Sequence, residues 1–299
     1  MSVQQQLDVG FPQPPALSDE VDLYAYERAL CEAGYGPVAG ADEVGRGACA
    51  GPLVAGAVIL PPDLRPTGLN DSKLMTPAAR DEAYEQIVKT AAWAVAVIPA
   101  ADVDRMGVQE ANYEALRRAV AGLGIQPVFV LFDGFRVPNA GVPSHAVVKG
   151  DRLAACISAA SVIAKVTRDR IMTGLDGTHP NYGFASHKGY STAVHQAALQ
   201  RWGPCAEHRM TYANVAAARA LVAATTPLPA QDRAEDTIGR FVGQNGSRSA
   251  LPVQGELRGP GAEEADADTH VEAEAGAGND SAGSAEQAQA VQETRGARA

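Results

Sequence analysis

Cysteine is scarce in this sequence. Cys31, Cys49, Cys156 and Cys205 are the only four in 299 residues, and no two stand at CxxC or zinc-ligand spacing. That argues against a disulfide framework or a structural zinc site, and leads us to expect reduced thiols in the core of a cytosolic protein. Long apolar runs are missing too, so no membrane span is expected. The first 18 residues have neither a basic n-region nor an apolar h-region, which speaks against a secretory signal. No Gly-Lys-Ser/Thr ends a glycine loop and no GxGxxG opens a helix, which sets aside both common nucleotide-binding loops. Positive charge shows no surplus either, since the net formal charge is −10. That deficit is unevenly spread. Residues 226–299 hold 13 acidic and 6 basic residues, leaving 22 and 19 of the chain's 35 and 25 before them. The nearly balanced body does not exclude a polyanionic ligand, because binding needs a local basic stripe and not a basic total.

What is present falls into three parts. Residues 1–17, with three consecutive glutamines and Pro12, Pro14 and Pro15, read as a flexible leader. Residues 226–299 are rich in Pro, Gly, Ala, Gln and acidic residues and carry Phe241 as their one aromatic. Such a composition buries too little apolar surface to offset ordering entropy, so a disordered acidic tail is expected. Between them, residues 18–225 read as one α/β domain. Ser18 suits a helix cap with Asp19 and Glu20 in the first turn. Two strands follow, one running into Asp42 and one over 53–60, as a hairpin. Thr76-Pro77 starts a helix to about 91. A strand over 93–98 comes next, then helices near 100–105 and 110–123. Apolar runs over 128–132 and 146–148 read as strands ending in Asp133 and in Lys149-Gly150-Asp151. A small-residue helix over about 153–175, a polar loop, and helices near 192–202 and 212–224 close the domain. The order predicts a mixed sheet with helices on both sides.

The chemistry concentrates at strand ends, where α/β sheets place ligands. Asp42, Glu43, Asp133 and Asp151 would bring four carboxylates to one edge. Such a group repels itself unless a cation neutralises it or some members are protonated. Oxygen-only donors favour Mg²⁺ or Mn²⁺, and such ions assist in-line phosphoryl displacement. Adjacent strand residues point to opposite faces, so Asp42 and Glu43 share a site only if the strand ends or is irregular there. Gly45 and Gly47 flank Arg46 and let backbone approach a sugar or phosphate closely. Arg46, Lys73, Lys149, Lys165 and Lys188 are candidates for phosphate contact, His187 for phosphate contact or proton transfer, and Asn70 and Ser72 for substrate binding. Each of these is also compatible with an ordinary solvated or loop-holding role. Asp71 is read as holding its loop, and Asp169 as pairing with arginines on its helix.

The blocks Gly40-Ala41-Asp42-Glu43-Val44-Gly45-Arg46-Gly47, Leu69-Asn70-Asp71-Ser72-Lys73, Phe132-Asp133-Gly134, Val148-Lys149-Gly150-Asp151, Ile157-Ser158-Ala159-Ala160-Ser161, Ala164-Lys165-Val166-Thr167-Arg168-Asp169 and Tyr182-Gly183-Phe184-Ala185-Ser186-His187-Lys188-Gly189-Tyr190 occur in that order. Over roughly residues 36–225 this resembles bacterial ribonuclease HII, the type 2 ribonucleases H. The resemblance implies a ribonuclease H-like fold with a mixed five-stranded sheet flanked by helices. It also implies a cytoplasmic, monomeric, Mn²⁺- or Mg²⁺-dependent endonuclease. Its substrates would be RNA–DNA hybrids and duplex DNA carrying single ribonucleotides. By the same resemblance Asp42, Glu43, Asp133 and Asp151 are the metal and catalytic set. Gly45, Arg46 and Gly47 sense the ribose, and Tyr190 packs on a sugar. Leu74 departs from the family, where a second lysine often follows. Two other readings share parts of this pattern: a DNA nuclease of the same superfamily, without the Gly-Arg-Gly and Tyr190 sensor, and a hybrid-binding module without catalysis, which would not need the intact acidic set.

Overall fold

The computed structural model describes residues 11–16, 22–66, 68–69 and 75–225. The cap expected at Ser18 and the loop residues Asn70, Asp71, Ser72, Lys73 and Leu74 lie outside them, as do residues 226–299. Five strands form one sheet in the order β3-β2-β1-β4-β5. They are β1 (Val38–Val44), β2 (Leu53–Ile59), β3 (Ala92–Ile98), β4 (Phe129–Asp133) and β5 (Ser144–Val147). The first three pair antiparallel, while β4 and β5 join in parallel. The sheet is mixed, as expected.

The helices are α1 (Ala25–Glu32), α2 (Pro77–Thr90), α3 (Ala100–Met106), α4 (Val108–Ala121), α5 (Ala155–Thr178), α6 (Phe184–His187), α7 (Ala193–Trp202) and α8 (Ala213–Thr225). No helix among the described residues is long and apolar enough to cross a membrane. Thr76 accepts a hydrogen bond from the Ala79 amide and Pro77 opens α2, the start its sequence suggests. The one-turn helix α6 falls inside what reads as a loop, between two residues in left-handed conformation, Gly183 and Lys188.

The pleat sorts each strand onto two faces. Ala39 and Ala41 of β1 and Leu53, Ala55, Ala57 and Ile59 of β2 pack with Ala111, Ala115, Leu116 and Ala119 of α4. Val38 of β1 and Phe129 and Leu131 of β4 turn the other way, toward Cys156 and Ile157 of α5 and Tyr26 and Leu30 of α1. Side chains such as Phe129, Leu131 and Phe132 are fully buried; each contributes about 1.5–3 kcal/mol by leaving water. Helix α5 lies directly on the sheet. A methyl at Gly40 would fall 2.2 Å from the Cys156 carbonyl carbon, and one at Gly56 2.6 Å from the Ala160 oxygen. The small residues opening α5 therefore meet two glycines that let backbone touch backbone.

Two attachments are not local. Ala154 gives α5 no side-chain cap; instead Glu27 of α1 accepts from the Cys156 amide at 2.5 Å. Burial raises the Glu27 carboxyl to about 7, against the bonds it accepts. In the expected leader, Phe11 is buried against Tyr35, Phe129 and His145, with ring centroids 5.3–5.5 Å apart. All four cysteines are free. Cys49 and Cys156 are buried, but Cys31 is exposed, outside the core where it was expected.

Candidate active site

Asp42 follows Val38 and Gly40 on the α5 face of β1, and Asp133 follows Phe129 and Leu131 on that face of β4. The parallel register pairs Ala41 with Phe132, which sets Asp42 and Asp133 side by side on neighbouring strands. Glu43 follows Ala39 and Ala41 onto the α4 face. The strand ends only at Val44, one residue beyond the pair, so the pleat still divides the two side chains. Pairing continues through Glu43 with Ala55 and Val44 with Val54. The carboxylate pair thus straddles β1, because the antiparallel ladder with β2 holds the pleat through both residues.

Repulsion within the group is visible in its proton affinities. Burial, then the charges of Glu43 and Asp133, push the Asp42 carboxyl well above the usual range. Ser161 of α5 and the Glu43 amide, at 2.7 Å, offset part of this by donating to it. Burial and Asp133 raise Glu43 to about 7, and Arg46 opposes them. Asn112 of α4 also eases Glu43. Yet Asn112 is fully buried and neither of its amide atoms closes a hydrogen bond. Asp133 Oδ1 accepts from the Gly150 amide at 2.6 Å, which ties β4 to the 3-10 turn Gly150–Arg152. Asp151 sits buried in that turn, not at the end of β5. Among the described residues no three His, Cys, Asp or Glu side chains are drawn together closely enough to hold a metal ion. Asp42, Glu43 and Asp133 are within electrostatic reach of one another but divided between the two faces of the sheet.

The turn after β1 is built around Gly45, whose φ of +85° is left-handed. A methyl there would fall 2.1 Å from Arg168 Nε, whereas one at Gly47 would meet nothing within 4 Å. Arg46 reaches outward, bonding Gln109 Oε1 at 2.6 Å with its guanidinium over the Phe135 ring. The chain then passes beneath the Tyr190 loop. The amides of Cys49 and Ala50 both donate to the Gly189 carbonyl, at 3.0 and 3.2 Å. Tyr190 is 38% exposed, so its ring is available at the surface beside this turn.

Several expected phosphate contacts are placed differently. Lys165 is in an ion pair with Asp169 at 2.8 Å, so Asp169 pairs with a lysine one turn away and not with an arginine. Lys188 Nζ bonds Thr173 and the Ala185 carbonyl. Lys149 is exposed, in left-handed conformation ahead of Asp151. His187 has no ring nitrogen left for a phosphate oxygen: Nε2 meets the Tyr182 carbonyl at 2.7 Å and Nδ1 accepts from Gly189. Its ring stacks on His195, centroids 4.3 Å apart.

That stack belongs to a buried relay that supports Tyr190. His195 Nδ1 meets the Tyr190 carbonyl at 2.9 Å, so it carries the proton. Its Nε2 then accepts from His208 Nε2 at 3.0 Å, and His208 Nδ1 accepts from the Cys205 amide. Every ring is satisfied only when neutral. Burial, followed by the facing His195, lowers His208 to about 4. The unfolded chain therefore binds a proton here first as pH falls, and stability supplied above about 6.5 is lost toward pH 4, up to about 3 kcal/mol. The raised carboxyls act in the opposite sense over part of this window, so the difference from a variant is the informative quantity. Relative to the parent, His208→Gln should gain urea resistance as pH falls from 7 to 5; a difference that does not change with pH would count against the relay.

Sequence reasoning missed Arg168, Arg209, Asn112 and Glu27. Arg168 and Arg209 are fully buried. Arg209 bonds the carbonyls of Gly51 and Arg46 and the Tyr212 hydroxyl. An arginine beside polar residues, on a helix as at Arg168 or in a loop as at Arg209, reads as surface, and nothing local marks either as interior.

A family model described as Ribonuclease HII matches residues 39–215. The Ribonuclease HII of Rhodococcus erythropolis is 56% identical over 212 residues, covering 70% of this chain and 94% of that protein. The crystal structure of ribonuclease H2 from Pyrococcus horikoshii is 26% identical with a TM-score of 0.54, over 61% of this chain and 97% of that one. A Bst-RNase HIII structure in complex with Mn²⁺ shares the fold at 21% identity and a TM-score of 0.52, over 64% and 73%. With the mixed sheet, the ordered acidic residues and this match across the body, the chain belongs to the ribonuclease HII family, ribonucleases H that act on RNA–DNA hybrids.

Proposed function

We propose that the protein cuts the RNA strand of hybrids and also cuts 5′ of single ribonucleotides embedded in duplex DNA. Water attacks phosphorus in line, leaving 3′-hydroxyl and 5′-phosphate ends. One observation carries the reading: Asp42 and Asp133 lie side by side on β1 and β4, and β1 runs directly into the turn Gly45-Arg46-Gly47, whose continuation is hydrogen-bonded to the Tyr190 loop.

Ribonucleases H depend on divalent metal, and the donor chemistry suits one. Asp42, Glu43, Asp133 and Asp151 are hard oxygen ligands, and a cation would relieve the repulsion that raises Asp42 and Glu43. The unsatisfied Asn112 amide is a ready donor for Glu43 once that carboxylate shifts. A bound Mg²⁺ or Mn²⁺ would activate water and neutralise charge at the scissile phosphate. The chain's own part is to bind and orient. Backbone around Arg46 faces the ribose, the Arg46 guanidinium meets phosphate, and Tyr190 packs on the next sugar. Which of the two metals is preferred, a monomeric state and cytoplasmic action belong to the same proposal.

Incubation with a duplex carrying one ribonucleotide, with an RNA–DNA hybrid and with all-DNA duplex, each with Mn²⁺, Mg²⁺ or chelator, tests it. Cleavage of the first two with metal only, at the 5′ side of the single ribonucleotide, is the expected result. Cutting of all-DNA duplex at the same rate would refute it. Residues 226–299 contribute none of the proposed site. Their deletion should leave turnover within about twofold and the melting temperature within a few degrees, the scale of substitutions remote from core and site. A larger fall in either on truncation would show that the tail supports the body.

A further inference from the structure

We propose that Arg168 is a positioning residue that locks the Gly45–Pro52 turn to the Tyr190 loop, so that ribose sensing and sugar packing act as one unit. This rests on the ribonucleotide-sensing role proposed above for those two segments. Arg168 is on the buried side of α5 and is fully enclosed. Its Nε donates to the Pro52 carbonyl at 2.9 Å, Nη2 to Ala50 at 3.1 Å, and Nη1 to Lys188 at 2.9 Å. Two of these acceptors belong to the turn and the third precedes Tyr190 by two residues. The guanidinium also lies 5.5 Å from the Tyr190 ring centroid and directly under Gly45. One planar group therefore touches both segments and both proposed sugar-contacting elements.

The chemistry of the site is unusual for an ion so deeply buried. Its three hydrogen-bond acceptors are carbonyls, and burial lowers its pKa to about 10, still charged at neutral pH. A cation held by neutral carbonyls fixes three backbone positions in a single plane, which only the rigid guanidinium fork can do. Lysine would keep the charge but, as a compact point donor, would not hold both segments in one geometry. A displacement of about 1 Å at a site where reacting groups must align can lower the rate about 100-fold.

Arg168→Lys is the test, read on the free protein and on two substrates. By amide hydrogen exchange, residues 48–51 and 188–190 should both exchange at least about tenfold faster, while β1 and α4 remain protected. On a duplex with one ribonucleotide, kcat/KM should fall roughly 10- to 100-fold, and on a long hybrid no more than about threefold. Long hybrids offer many registers and do not need a deoxyribose beside the ribose. Adding Tyr190→Ala to Arg168→Lys should cost little beyond the larger single effect, since the two act through one contact. Should Arg168→Lys fail to fold, Arg168→Gln, which removes the buried charge and keeps donors for one segment only, takes its place with the same readings. Faster exchange in one segment alone, a parallel fall on both substrates, or additive losses in the double variant would overturn the proposal. The exchange measurement uses no substrate. If the parent shows no preference for ribonucleotides, the functional reading falls while exchange still decides whether Arg168 couples the segments.

Discussion

Asp42→Asn is expected to abolish cleavage while raising the melting temperature. Asp42 is buried, with Glu43 on the next residue and Asp133 on the neighbouring strand, and their charges together with burial disfavour its ionised form. Asparagine keeps the shape and an acceptor for the Glu43 amide, and removes one of three like charges. Relief of that repulsion should add about 1 kcal/mol, or about 2–4 °C for a body of this size. The same change removes a hard oxygen donor at the place where the reaction needs concentrated negative charge. Loss of several kcal/mol of transition-state stabilisation corresponds to at least about a thousandfold in kcat. Asp133→Asn should behave alike in rate, and its amide oxygen can still accept from Gly150. Calorimetry with Mn²⁺, thermal melting and single-turnover cleavage separate these effects. A variant that folds and cuts within tenfold of the parent would remove Asp42 from the metal set.

The opposition between stability and activity at Asp42 has a structural origin that the sequence shows only in part. Alternation in β1 and β2, and the fully apolar run of β4, make the strands legible, because pleat and burial act residue by residue. The carboxylates at 42, 43 and 133 stand out for the same reason: they interrupt apolar strands where a core would not tolerate charge. Their division between two faces follows from the pleat once β1 is known to continue through Val44. That extent depends on pairing with β2, a non-local fact. Long-range satisfaction of polar groups is where local reasoning stops. Glu27 capping α5 from α1, Arg168 holding carbonyls of two loops and His187 stacked on His195 all join segments distant in sequence or turned inward by packing. Read alone, each is a charged or polar residue of ordinary surface type. The expected pairing of Asp169 with arginine failed for this reason: Arg168 is drawn beneath the turn, leaving Lys165 as the partner one helical turn away.

Tyr190→Ala is expected to cost about 100-fold in kcat/KM on a single-ribonucleotide duplex while leaving fold and metal affinity unchanged. Only the 2′-hydroxyl separates RNA from DNA at one sugar, and it both donates and accepts. Gly47 has open space where a side chain would be, and its neighbour Gly45 holds the left-handed turn that exposes the backbone on either side of Arg46. The Arg46 carbonyl is taken by Arg209 and Tyr212, so the partners this backbone would offer the hydroxyl are the Arg46 and Gly47 amides and the Gly47 carbonyl. On the proposed reading, Tyr190, exposed on the loop bonded to the same turn, would pack on the sugar 3′ to the ribonucleotide. The alanine variant keeps the loop, since the Tyr190 contributions to the histidine relay and to Thr192 are made by its carbonyl and not by its ring. Gly47→Val should act from the other side, by filling the space before the sugar. The added Cβ meets no protein atom within 4 Å, so stability should change by less than about 1 kcal/mol. Loss of activity without loss of stability is therefore the signature of a blocked ligand and not of a broken turn. Tyr190→Phe, which preserves the ring, should retain most of the parent rate. If Tyr190→Ala and Gly47→Val both cut a single-ribonucleotide duplex as fast as the parent, sugar recognition lies elsewhere on the molecule.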